Sequence, residues 1–198
     1  MATTKAELID HYRHINVNFF DNHWAQDMEV QMKEEVEKKY GVEIDNIHYS
    51  GFYSQGDGAS FEVSMPDINE DTCTTNEWFR DKPMVRKLVK AEGFLNLTMT
   101  RYEGNRYCHS HSVRHAEVEH EWLSDVLTNT NELVAAVLEA FDRQLTKELD
   151  DLEIAMTEAM RKEMDNYYNT LEEAYTYLTS DEQVWETIVN NELNKEIA

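Results

Sequence analysis

The stretch that decides the fold is NTNELVAAVLEAFDRQLTKELDDLEIAMTEAMRKEMDNYYNTLEEAYTYL at residues 129–178, which contains neither glycine nor proline. Neither breaker occurs anywhere after Gly104, and this favours long uninterrupted helix. Apolar side chains recur there every three or four residues and mark one helix face: Val134, Val137, Leu138, Phe141, Leu145, Leu149, Leu152, Met156, Met160, Met164, Tyr167, Leu171, Tyr175 and Leu178. The pattern predicts a helix starting at Asn129 or Thr130.

A helix over 130–178 is roughly 70 Å long at 1.5 Å per residue, more than the diameter of a small domain. Part of its apolar stripe then needs a second helix or a second subunit to cover it, so we expect a homodimer. Ser180 and Gln183 form a capping box that predicts a final helix.

The N-terminal part of the chain predicts helices followed by strands. Thr4 and Glu7 form a capping box for a first helix. A second helix starts near Asp21 or Asn22, carries an apolar residue every fourth position from Trp24 to Tyr40, and ends at the capping residue Gly41.

Two β-hairpins are expected after that helix. Strands over 47–53 and 59–65 flank the turn SQGDG. Strands over 95–102 and 106–118 flank Glu103-Gly104-Asn105, residues 66–82 are irregular, and a short helix covers 84–91. The fold class is therefore α+β, with N-terminal helices and a small antiparallel sheet, followed by a long-helix C-terminal half. The expected domains are an α+β domain over 1–120 and an acidic helical region over 121–198.

Charge is the strongest compositional signal, because 40 acids face 18 bases and give a net charge of −22. The excess is uneven: residues 1–116 hold 19 acids and 13 bases, whereas residues 117–198 hold 21 and 5. Such a protein repels nucleic acid and anionic lipid and attracts basic surfaces. Solubility alone also accounts for the charge. We expect no membrane span, no signal peptide, and free thiols at Cys73 and Cys108.

The acids of the predicted long helix are candidate contacts for a basic partner. They are Asp150, Asp151, Glu153, Glu158, Glu163, Asp165, Glu172 and Glu173. A helix rises about 1.5 Å per residue and duplex DNA carries one charge per ~1.7 Å, so acids on one or two faces approximate the spacing of phosphates. The alternative is an ordinary solvated helix face.

The segment YSGFYSQGDG at residues 49–58 is the sharpest local motif. Its candidate residues for binding are Tyr49, Phe52, Ser54, Gln55, Gly56, Asp57 and Gly58. Gly56 and Gly58 are expected to take positive φ. Such a loop holds a ligand, or it is a turn whose polar side chains satisfy their own backbone.

Three histidines follow in RYCHSHSVRH, and strand alternation places His109, His111 and His115 on one face. Histidines at this spacing can hold a transition metal. A hydrogen-bonded or solvated histidine face is the alternative, and we expect no cofactor, no metal and no catalytic residue.

Two blocks carry a resemblance: YSGFYSQGDGASF at 49–61 and LEEAYTYLTSDEQVWETIVNNE at 171–192. With them, most of the chain resembles uncharacterised proteins of tailed phages and prophages. The resemblance implies a phage origin and the cytoplasm of a bacterial host. It implies no catalytic residue.

The resulting hypothesis is an anti-defence inhibitor of a restriction or CRISPR system. It acts stoichiometrically as an acidic DNA or RNA mimic on a host protein with a basic groove, without binding nucleic acid or membrane. One alternative is a metal-dependent enzyme using His109 and His111. Another is a protein that sequesters a small defence signal at the SQGDG loop.

Overall fold

A computed structural model describes residues 4–17, 23–65, 68–91, 94–121 and 132–193. Its helices are α1 Lys5–His11, α2 His23–Tyr40, α3 Glu70–Thr75, α4 Pro83–Lys90, α5 Glu132–Leu178 and α6 Asp181–Asn190, and its strands are β1 Glu43–Ser50, β2 Gly58–Met65, β3 Phe94–Met99 and β4 Glu117–Glu121. Short 3₁₀ turns cover Glu77–Phe79 and Ser110–Ser112. The α+β class and the long C-terminal helix are confirmed. The predicted helix starts at Asp21, Asn22, Asn129 and Thr130 lie outside the described residues.

The chain divides into two compact units. The terminal unit consists of Met1–Met32 and Asn166–Ala198, and the central unit is Lys33–Asp165. Residues 132–165 of α5 thus belong to the central unit and residues 166–178 to the terminal unit. The division at residue 120, which follows composition, stays a prediction about the organisation of the chain.

The central unit contains one antiparallel sheet with the strand order β1-β2-β3-β4. In β2, five of the first six residues, Gly58 to Val63, are buried, because this strand lies in the interior of the sheet. The β1-β2 register shifts between Asp45 and His48, where Asn46 takes a positive φ of 48°. Asparagine tolerates that backbone conformation better than most residues.

The second hairpin differs from its prediction. Strand β3 does pair with β4, with Leu97 opposite Val118. The predicted turn is present, since the Asn105 amide donates to the Tyr102 carbonyl at 3.2 Å across Glu103 and Gly104. However, the predicted strand over 106–118 is wrong for residues 106–116, which form an irregular connection with a 3₁₀ turn and one antiparallel bridge, Arg101 with Val113. Local hydrogen bonds hold the 3₁₀ turn: His109 Nδ1 accepts from the His111 amide at 3.1 Å, and Ser112 Oγ donates to the His109 carbonyl at 2.6 Å.

The prediction that residues 66–82 are irregular was also wrong. Asn69 caps α3 by accepting from the amides of Asp71 and Thr72 at 2.9 and 3.0 Å. Asn76 likewise caps the 3₁₀ turn by accepting from the Trp78 amide at 3.0 Å. Asparagine caps can start a helix within polar sequence. Such a segment has no apolar periodicity from which the helix could be predicted.

The apolar stripe of α5 is buried within the single chain from Leu145 to Tyr175. Its buried side chains in the central unit are Leu145, Leu149, Leu152, Met156, Met160 and Met164. Over this stretch the stripe gives no argument for a second subunit, because burial removes the exposed apolar surface that the argument required. Among the described stripe residues, Val137 is 63% exposed and Leu138, Phe141 and Leu178 are half-buried, and the homodimer stays a prediction.

The terminal unit is helical. Leu8, Ile9, Val184 and Ile188 form its buried cluster. Its first helix begins with the predicted capping box, since Thr4 and Glu7 satisfy each other's backbone amides. The Ser180 hydroxyl starts α6 by accepting from the Gln183 amide. Both predicted helix starts are confirmed, but only Thr4 and Glu7 form a complete capping box, because the Gln183 side chain donates to Glu186.

In the part of the chain that the structure describes, no helix is long and apolar enough to cross a membrane.

Candidate functional site

The predicted acidic residues fall into two groups. Six are exposed, and among the described residues they make no ion pair: Asp150, Asp151, Glu158, Asp165, Glu172 and Glu173. The other two, Glu153 and Glu163, are half-buried and bind groups of the central unit itself.

Glu163 binds the end of α2. Its Oε1 accepts from Lys39 Nζ and from the Tyr40 hydroxyl, both at 2.7 Å. The hydrogen bond to Glu163, followed by the one to Tyr40, raises the pKa of Lys39. Burial is the main cause that raises the pKa of Tyr40. Glu163 therefore holds α5 to α2 and is not a free contact for a partner.

Glu153 is also structural. Its Oε1 accepts from the Val118 amide in β4 at 2.8 Å. One helical turn later, the Thr157 hydroxyl accepts from the Ala116 amide at 2.8 Å. The two side chains attach α5 to the strand that begins at Glu117, so a charge reversal at Glu153 tests the fold rather than a binding surface.

Glu148 was not among the candidates, although it is one of the few buried charged residues described, at 8% exposure. Its Oε2 accepts from the amides of Met84 and Val85 at 2.7 and 3.2 Å. It thus caps the first turn of α4, where Lys82 supplies no side-chain cap. A carboxylate also suits the positive end of the helix dipole. The only sequence signal was a charge falling between two apolar stripe positions, Leu145 and Leu149.

The predicted exposed acids of the central unit are interleaved with bases. Asp151, Glu158 and Asp165 recur every seven residues and so share one face of α5. Lys147 and Lys162 lie four residues from Asp151 and Glu158, respectively, on the same face. This surface is mixed in charge.

Charge in the terminal unit is one-sided. Residues 166–193 hold six acids, all exposed, and no lysine or arginine. They are Glu172, Glu173, Asp181, Glu182, Glu186 and Glu192. Arg13 makes ion pairs with Asp10 and Asp181, and these bonds, Asp181 first, raise its pKa.

The SQGDG loop is closed by its own aspartate. Asp57 Oδ2 accepts from the amides of Tyr53 and Ser54 at 2.9 and 2.6 Å. Ser54 and Gln55 are exposed at the tip, Tyr49 is half-buried, and Phe52 is buried. This is the geometry of a turn that satisfies its own backbone. The carboxylate of Asp57 is therefore turned into the loop.

The two glycines of the loop have different reasons to be glycine. Gly56 takes a φ of +105°, as predicted, and a Cβ there would lie 2.4 Å from the Tyr107 ring. Gly58 does not take positive φ, so that prediction was wrong. Its constraint is packing, because a Cβ would lie 2.7 Å from the backbone Cα of His109. The structure thus places the SQGDG loop against residues 107–109, which are distant in sequence.

The histidines do not share a strand face, because His109 begins a 3₁₀ turn. The rings of His109 and His111 lie 6.2 Å apart at 60° to each other, and His111 and His115 are exposed. No group of three His, Cys, Asp or Glu in the described ranges is placed to hold a metal.

A family described as a domain of unknown function, DUF8835, matches residues 24–181. This match spans most of the chain, and the protein belongs to that family. No curated protein and no solved structure matches it.

Proposed function

We propose that this chain is a phage-encoded inhibitor of a host nucleic-acid-binding defence complex, of the restriction or CRISPR type. It acts stoichiometrically in the host cytoplasm by placing carboxylates in the complex's basic groove. The observation that carries the proposal is the base-free segment 166–193, with six exposed acids. A surface of one sign attracts a basic groove at long range and speeds the encounter.

The terminal unit supports this role better than the ridge of α5 in the central unit. On that ridge, Lys147 and Lys162 offset part of the charge of Asp151 and Glu158. In the terminal unit the described bases are Lys5 and Arg13, and both are engaged. Lys5 Nζ lies 4.5 Å from the centre of the Trp185 ring, and Arg13 pairs with two aspartates.

The charge density sets the expected strength of the salt effect. Asp181 pairs with Arg13, so five acids of residues 166–193 remain, distributed over the end of α5 and α6. At a rise of ~1.5 Å per residue they give about one charge per 8 Å of helical rise, against one per ~1.7 Å in duplex DNA. Fewer charge contacts release fewer counterions. Binding therefore weakens as salt rises, with a shallower log-log slope than that of DNA on the same target.

The first experiment is a pull-down from bacterial lysate at roughly 50 and 500 mM salt, which spans strong to weak Coulomb attraction. The captured complex is then tested for DNA binding by mobility shift, with and without the chain. We expect one chain per groove, competition with DNA, and release at high salt. Affinity that is flat in salt and indifferent to DNA contradicts the proposal.

Two matched variants locate the contact. One reverses Glu172, Glu173, Glu182 and Glu186 to lysine, and the other reverses Asp150, Asp151, Glu158 and Asp165. Both change the net charge equally, so only position differs. We expect the first variant to lose inhibition and the second to retain most of it. Single reversals should have small effects, since an exposed ion pair contributes ~0–1 kcal/mol. Equal losses of inhibition in both variants would mean that net charge, and not the position of the acids, determines binding.

A further inference from the structure

The connection between β3 and β4 has the opposite charge balance from the rest of the chain. Residues 101–115, RYEGNRYCHSHSVRH, contain three arginines, three histidines and a single acid, Glu103. The whole protein has more than two acids per base. The chain thus contains many carboxylates that could pair with these cations.

The arginines of this connection have no carboxylate partner within the described ranges. Ion pairs there involve lysines 33, 39 and 90 and arginines 13 and 80, but not Arg101, Arg106 or Arg114. The Nε atoms of Arg101 and Arg114 are buried without a hydrogen-bond partner among these residues, as is that of Arg161 on α5.

Arg101 has a separate structural task. Its Nη2 donates to the carbonyls of Asn105 and Tyr107 at 3.0 and 2.6 Å and so fixes the shape of the connection. Its own amide donates to Glu62 Oε1 at 3.1 Å. Arg106 Nη2 donates to the Tyr107 hydroxyl at 2.9 Å, which leaves its remaining N–H groups, and the guanidinium of Arg114, for a ligand.

Tyrosine rings accompany both arginines. The guanidinium carbon of Arg106 lies 5.0 Å from the centre of the Tyr107 ring, and that of Arg114 lies 5.7 Å from the Tyr102 ring. Tyr102 and Tyr107 are 44% and 39% exposed. Exposed aromatic rings beside arginine are the pattern by which proteins stack bases and neutralise phosphate.

The SQGDG loop adds a third ring to this surface. Tyr53 at its tip is 84% exposed, while the backbone of the loop is closed by Asp57. Gly56 packs directly on Tyr107, where a Cβ would lie 2.4 Å from the ring. The absence of a side chain at Gly56 is what allows the two loops to meet.

We propose that residues 53–56 and 101–115 form a binding surface for a small nucleotide. The base stacks on Tyr53 and Tyr102, since His109 already stacks on Tyr107 at 6.0 Å, and Arg106 and Arg114 bind the phosphate. The net charge of −22 disfavours a polynucleotide, which the whole protein repels, far more than a ligand with one or two phosphates. This inference goes beyond the inhibitor proposal and uses other residues, so the two tests fail independently.

The test is calorimetric titration of the full chain with AMP, and separately with adenosine, inorganic phosphate and a twelve-residue thymidylate. NMR shifts of residues 53–58 and 101–115 locate the site. The variants are Tyr53→Ala, Arg106→Gln and Arg114→Gln. The matched controls are Arg143→Gln, an exposed arginine of the same unit, and Tyr177→Ala, an exposed tyrosine of the terminal unit. Thermal melting by circular dichroism establishes that each variant folds.

We expect AMP to bind and to shift the two loops. Loss of the Tyr53 ring should weaken binding about 5-fold or more, the lower end of base stacking on an aromatic side chain. Each arginine change should weaken it about tenfold, because it removes a charge-assisted hydrogen bond, while both controls stay within twofold.

Four results would overturn the proposal. They are no AMP binding at millimolar concentration, equal losses in the controls, phosphate binding as tight as AMP, and thymidylate binding much tighter than AMP. The third would remove the stacking role, and the fourth would assign the surface to single-stranded nucleic acid.

Discussion

The terminal and central units of this protein differ in their balance of acids and bases. The described residues of the terminal unit hold ten acids and two bases, and those of the central unit hold 25 and 15. In the terminal unit both bases are engaged and a surplus of carboxylates remains on the surface. In the central unit several carboxylates bind internal groups, and the arginines of residues 101–115 are left without one. A single net charge of −22 therefore describes two surfaces of different chemistry.

The units also differ in how their helices are fixed. In the terminal unit, Asn16 connects to both C-terminal helices: its Nδ2 donates to the Leu178 carbonyl at the end of α5 at 2.9 Å, and the Thr187 hydroxyl in α6 donates to its Oδ1 at 2.8 Å. In the central unit, Glu148, Glu153 and Glu163 bind groups on α4, β4 and α2. Some carboxylates of the central unit therefore stabilise its fold.

The largest expected loss of stability comes from removing a buried side chain from either core. Ile188 in the terminal unit and Ile44 in the central unit are both fully buried. Replacing either with alanine should lower the free energy of unfolding by about 2–5 kcal/mol, through lost burial and the cavity left behind. Urea unfolding measures the loss, and hydrogen exchange shows where it acts. Ile188→Ala should speed exchange in α6, and Ile44→Ala in β1 and β2; the reverse distribution contradicts the assignment of units.

The next effect tests the junction of the SQGDG loop with residues 107–109. Gly58→Val should cost about 1–3 kcal/mol by overpacking against the His109 backbone. Gly56→Val should cost a similar ~1–3 kcal/mol through its positive φ, with a clash against Tyr107 in addition. Gly104→Ala is the control: Gly104 has a φ of +70° but no neighbour within 4 Å. Thermal melts that rank Gly104→Ala as the most damaging would contradict the packing of the two loops.

The smallest expected loss of stability comes from removing a helix cap, and one cap is tested in each unit. Glu148→Ala in the central unit leaves the amides of Met84 and Val85 without their acceptor and should cost about 1–3 kcal/mol. Ser180→Ala in the terminal unit removes an ordinary N-cap and should cost ~1 kcal/mol. Urea denaturation measures both. A Glu148→Ala variant as stable as the parent would mean that water replaces the carboxylate at no cost.

Sequence reasoning located the features that depend on near neighbours. The capping box at Thr4 and Glu7, the cap at Gly41, the cap at Ser180 and the unbroken α5 are each set by residues within a few positions. It failed where polar side chains made local structure without an apolar period, at Asn69, Asn76 and His109. Side-chain bonds to the backbone replaced the strand and loop expected there.

The sequence by itself determined the α+β class, the long acidic helix and the surplus of carboxylates, because composition, breakers and caps act locally. Only the tertiary structure decided which acids remain available. Glu163 meets a lysine 124 residues away, Glu148 meets amides 63 and 64 residues away, and the SQGDG loop meets His109. Such contacts join residues far apart in the chain, so no local pattern encodes them, and they alone distinguish a carboxylate that holds the fold from one offered to a partner.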